Sequence, residues 1–117
     1  MTVLEDGSRL ALDADSAVKV RISGERRELT VTQGRAGFTV AKNGRPFAVT
    51  VGDKTVVATG TRFSVELLGR SANVVLYEGA VVVLQGRPGE SRQIAAMQPG
   101  SSLTLPVTGG AEREPSL

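Results

Sequence analysis

The stretch Val74-Val75-Leu76-Tyr77-Glu78-Gly79-Ala80-Val81-Val82-Val83-Leu84 decides the fold class. Both of its runs, Val74–Tyr77 and Ala80–Leu84, are apolar on both faces and rich in β-branched residues. Such runs read as central strands covered on both sides. Glu78-Gly79 between them is short enough for a tight turn. Outward from this centre the chain alternates. Val18, Val20 and Ile22 oppose Lys19 and Arg21; Leu29 and Val31 oppose Thr30 and Thr32. Ala36, Phe38 and Val40 share a face, as do Phe47, Val49 and Val51, and Phe63, Val65 and Leu67. Leu103 and Leu105 flank Thr104. Period-two alternation of this kind means strands with one buried face.

Glycines at 7, 24, 34, 44, 52, 60, 69, 79, 86 and 100 recur mostly every eight to ten residues, a spacing of turn signals typical of all-β domains. The expectation is about ten short, mainly antiparallel strands and essentially no helix. Only Ser91–Gln98 could form a helical turn, and Pro99-Gly100 ends it. Residues 1–105 form one all-β domain. Residues 106–117 have the composition of a flexible tail or linker. The expected core is Phe38, Phe47, Val49, Phe63, Val65, Val82 and Leu84.

The 117 residues contain no histidine and no cysteine. That removes Cys–His and Ser–His–Asp nucleophile systems, the usual zinc sites and disulfides. A net charge of +2 is too small for the dense field of a nucleic-acid binder. Ser16-Ala17-Val18-Lys19 has the Ser-x-x-Lys spacing of penicillin-recognising enzymes, but that chemistry needs a helical turn, and a strand sends i and i+3 to opposite faces. Asp13-Ala14-Asp15 opens like a calcium loop, yet Val18 replaces the required glycine and Gly24 the final glutamate, so a backbone-bonding turn is expected instead. Neither a dinucleotide fingerprint nor a P-loop occurs. The reading is no enzyme, no metal and no cofactor. Lys19, Arg21, Arg26 and Arg27 form a candidate basic patch for an acidic protein partner.

Read in order, several pieces resemble the FecR domain family, the periplasmic portion of FecR-like anti-sigma factors. Asp6-Gly7-Ser8, followed by Leu12-Asp13, resembles its opening element. Leu29 to Val40, Arg45-Pro46-Phe47-Ala48-Val49, the run from Val57 through Gly60-Thr61-Arg62-Phe63 to Val65, Val74 to Val83 with Glu78-Gly79, and Met97-Gln98-Pro99-Gly100 resemble later ones. The likeness spans residues 3–105. Asp13, Arg35 and Thr59 depart from the family's Asn, Glu and Leu. The resemblance implies a twisted, β-solenoid-like roll or sandwich. It further implies a domain of a single-pass inner-membrane sigma-factor regulator, located in the periplasm. Its partner would be the signalling domain of a TonB-dependent outer-membrane receptor, and the sigma factor would bind a cytoplasmic segment outside this chain. The alternative is an exported FecR-domain scaffold or envelope-binding module. Arg45-Pro46-Phe47 favours the signalling branch. The motif residues Asp6, Gly7, Ser8, Arg45, Pro46, Phe47, Gly60, Thr61, Phe63, Glu78 and Gly79 are expected to act structurally.

Overall fold

The computed structural model describes residues 2–4, 6–22, 27–41, 46–86 and 91–107, apart from the Thr59 side chain. They form nine strands: β1 (Thr2–Val3), β2 (Arg9–Leu12), β3 (Ala17–Ile22), β4 (Arg27–Thr39), β5 (Phe47–Val51), β6 (Lys54–Leu68), β7 (Ser71–Gln85), β8 (Arg92–Met97) and β9 (Ser102–Pro106). No helix occurs among the described residues. Within Ser91–Gln98, the one window that could have formed a helical turn, Arg92–Met97 is β8.

Three strands are far longer than the glycine spacing suggested, because Gly34, Gly60 and Gly79 lie inside strands rather than between them. All three have positive φ, and at each one the inward face changes parity. In β4 the buried residues are Arg27, Leu29 and Val31 before Gly34, then Ala36 and Phe38 after it. In β6 they are Lys54, Val56 and Ala58, then Thr61, Phe63 and Val65, with Ser64 buried on the opposite parity. In β7 they are Ala72, Val74 and Leu76, then Val81 and Val83. A β-bulge inserts a residue, and a one-residue shift sends every following side chain to the other face. This corrects two expectations. Glu78-Gly79 is a bulge within one continuous strand, not a hairpin turn. Val82 and Leu84 are half-buried on the outer face, while Val81 and Val83 enter the core.

The bends also set the topology. Along one edge of β4, β2 and then β3 pair end to end, antiparallel. Along its other edge, residues 34–39 pair with β6, while residues 27–30 pair with β5, in parallel. Strand β5 in turn pairs with residues 54–58 of β6. The β4–β5–β6 circuit is therefore closed, and the sheet curls into a barrel-like core rather than a solenoid coil. Strands β8 and β9 run end to end along the free edge of β7. Inside lie the three phenylalanines. Phe38 stacks on Phe63 with centroids 5.1 Å apart and meets Phe47 edge-on at 5.9 Å. Val49 and Val65 are fully buried beside them.

Candidate partner-binding surface

Arg27 shares the inward parity of Leu29 and Val31, so its side chain must enter the interior; it is 1% exposed. Its Nη1 pairs with the Asp6 carboxylate, donates to the Ala41 carbonyl at 2.8 Å and lies 3.4 Å from Ser8 Oγ. Its guanidinium carbon sits 5.1 Å from the centroid of the Phe47 ring, a cation–π contact. Ser8 completes the arrangement. Its N–H and its hydroxyl both donate to Asp6 at 2.9 Å, and its oxygen accepts the Ala41 N–H at 2.9 Å. Burial alone would raise the Asp6 pKa. The hydrogen bonds from Arg27 and Ser8 outweigh it and hold the carboxylate below its ordinary value. One buried clasp thus joins Asp6-Gly7-Ser8 to Phe47, two motifs far apart in sequence.

The remaining motif residues also serve the fold. Buried Thr61 donates to the Ala80 carbonyl at 3.0 Å. A Cβ on Gly79, at φ +85°, would lie 2.9 Å from the Gly60 carbonyl oxygen and 3.1 Å from Thr61 Cα. Only glycine fits there. Phe63 is core. Pro46 is exposed, and its carbonyl accepts the Arg27 N–H at 3.1 Å. Glu78 points outward and pairs with Arg62 at 3.0 Å. Arg45 lies outside the described residues.

The expected basic patch is divided. Lys19 and Arg21 are exposed on β3, beside Val20, itself 43% exposed. Arg27 is not on the surface at all, which corrects the expectation; its position two residues before Leu29 is the signal that placed it inside. Arg26 lies outside the described residues. Among the described residues no strand pairs with the outer edge of β3, so that edge presents backbone donors and acceptors to a partner. Ser16 does not act with Lys19. Its hydroxyl oxygen accepts the Arg35 N–H at 2.8 Å and packs against Gly34. No cluster of metal-ligating side chains occurs among the described residues. Asp13 pairs instead with Arg35 at 3.4 Å.

Sequence reasoning missed one surface feature. Tyr77, at the β7 bulge, reaches across β6, and its hydroxyl accepts from Arg35 Nη2 on β4 at 3.3 Å. Arg62 covers the ring at 5.2 Å. Hydrogen bonding from Ser64, with the two guanidiniums, lowers the Tyr77 pKa below 10.0. Only the bulge brings these residues together, so no sequence spacing marks them.

A curled all-β domain, with Asp6, Ser8, Phe47, Thr61 and Phe63 turned inward, is the class that this geometry defines. The chain belongs to the FecR family: the family model described as FecR protein matches residues 2–82. Two crystal structures of a proposed anti-sigma factor from Parabacteroides distasonis ATCC 8503 share the fold, with TM-scores of 0.74 and 0.70 at 23% and 22% identity. Each alignment covers 93% of this chain and 51% of that one, so the chain spans about half the length of these proteins. No curated protein matches it.

Proposed function

We propose that this chain is the periplasmic signalling domain of a transmembrane sigma-factor regulator, and that it relays a signal from a TonB-dependent outer-membrane receptor by protein–protein contact. The FecR match over residues 2–82 carries the reading. The fold shared with the Parabacteroides anti-sigma factor supports it. Asp6, Ser8 and Phe47 sit in the clasp and Thr61 and Gly79 at the bulges, which favours recognition by the surface. The open edge of β3, with Lys19 and Arg21, offers strand addition and electrostatic steering to an acidic partner.

The test is a calorimetric titration of this chain with the receptor's N-terminal signalling domain at low and moderate salt. Binding that weakens with salt, and weakens further in the Lys19→Glu/Arg21→Glu double variant, is expected. Arg27 is left intact, because reversing it would break the clasp. Absence of binding, or binding only by a chain extended past Leu117, overturns the reading for this domain.

A further inference from the structure

The sheet order β3-β4-β5-β6-β7-β8 has an outer face that ordinary solvent exposure does not explain. Leu29, Val49, Val56 and Val83 point into the core, so their sequence neighbours stand on the opposite face. Cross-strand pairing aligns those neighbours into two rows. One runs Arg21, Glu28, Ala48, Val57, Val82; the other runs Lys19, Thr30, Thr50, Thr55, Leu84. A wetted face would carry long polar side chains. Here the middle of both rows is small or aliphatic, and Ala48, Thr50, Thr55, Val57, Val82 and Leu84 are all half-buried. Between them lies a groove of about 310 Å3, its floor formed by Ala48, Thr50, Thr55, Val57 and Leu84 and its remaining walls by Arg27, Glu28, Pro46, Gly86 and Ser91. The hydroxyls of Thr50 and Thr55 lie 3.5 Å apart, so one donates to the other. The floor is therefore of mixed polarity, with aliphatic Ala48, Val57 and Leu84 beside the two threonines, and the volume is at the low end of ligand pockets, which start at roughly 300 Å3.

We propose that this groove receives an extended, acidic segment of a partner protein. An aliphatic side chain enters between Ala48, Val57 and Leu84, and flanking carboxylates meet Lys19 and Arg21. Charge complementarity selects this occupant: the β3 bank carries two exposed cations and no acid on the same face. Glu28 stands opposite Arg21 and offsets part of its charge, so Lys19 is the leading anchor. The inference rests on the reading of the domain as a protein-binding module, but not on the identity of the receptor.

The probe is a synthetic peptide alternating Asp or Glu with Leu, titrated into the isotopically labelled chain and followed by amide NMR. Shift changes confined to Ala48, Thr50, Thr55, Val57 and Leu84 and their neighbours are expected. Lys19→Glu should weaken binding about tenfold or more, equivalent to about 1.4 kcal/mol. Val57→Arg, which fills the groove from the solvent face, should abolish it while leaving the NMR fingerprint folded; Thr55→Arg serves if that variant unfolds. Equal binding of a Lys-for-acid peptide, shifts elsewhere, or no binding at millimolar peptide overturns the proposal. So does concentration-dependent self-association that Val57→Arg removes, because the occupant would then be a second copy. Peptide binding without receptor binding sinks the receptor reading alone. Receptor binding that survives both variants, without peptide binding, sinks the groove alone.

Discussion

Arg27 shows how one residue can be misplaced by its chemistry and placed by its parity. A charged side chain next to other charges reads as surface, yet the period of two puts it under Leu29. Its buried guanidinium is held through Nη1 by Asp6, Ser8 and the Ala41 carbonyl. Removing one partner of a buried ion pair leaves the other uncompensated, at a cost of about 3–5 kcal/mol. Arg27→Met should therefore lower the unfolding free energy measured by urea denaturation by that amount, and the Arg27→Met/Asp6→Asn double variant should lose less than the sum of the singles. The pH dependence follows from the depressed Asp6 pKa. Its stabilising contribution is fully present above the ordinary value of 3.8 and is lost as pH falls through the lower folded value. Asp6→Asn should flatten the acid limb of the stability curve. Tyr77 gives an independent residue-scale test, being the single tyrosine in a chain without tryptophan. Ultraviolet titration should place its ionisation below 10.0, and Ser64→Ala or Arg35→Ala should move it upward.

At the scale of elements, the bulge glycines do what turn glycines were expected to do, by a different route. They redirect the chain without ending the strand. Gly79 and Gly100 separate the two components of such a site. Both have positive φ, but a Cβ on Gly100 meets nothing, whereas on Gly79 it meets the Gly60 carbonyl oxygen at 2.9 Å. Gly100→Ala should cost about 1–2 kcal/mol, the usual penalty for a left-handed L-residue. Gly79→Ala should cost clearly more, and thermal denaturation of the two variants would measure the difference. The alternation within each half-strand was legible from sequence, so Phe38, Phe47, Phe63, Val49 and Val65 were placed correctly. Val82 and Leu84 were not, because a parity change at a bulge depends on the backbone angle of Gly79, and a glycine in a string states no angle.

At the scale of the whole molecule, the closed β4–β5–β6 circuit and the stacked Phe38–Phe63 pair make the core a single unit. Phe63 is fully buried at its centre, so Phe63→Ala should destabilise by about 3–5 kcal/mol in a single cooperative transition. A melting temperature unchanged by added calcium or zinc is also expected, since a ligand of the native state would raise it by mass action.

The all-β class, the absence of histidine and cysteine chemistry, the inward phenylalanines and the FecR resemblance were all determined by the sequence itself. Each depends on residue identity or on a period of two, which is local. Tertiary structure alone decided that three of the strands would be long and bent, and that the sheet would curl into a barrel-like core. It also turned Arg27 inward to Asp6 and set Lys19 and Arg21 in cross-strand register with the residues of the groove. Those outcomes depend on which strands pair and where each bulge shifts the register. That choice is settled by contacts between residues far apart in the chain, and no local pattern records it.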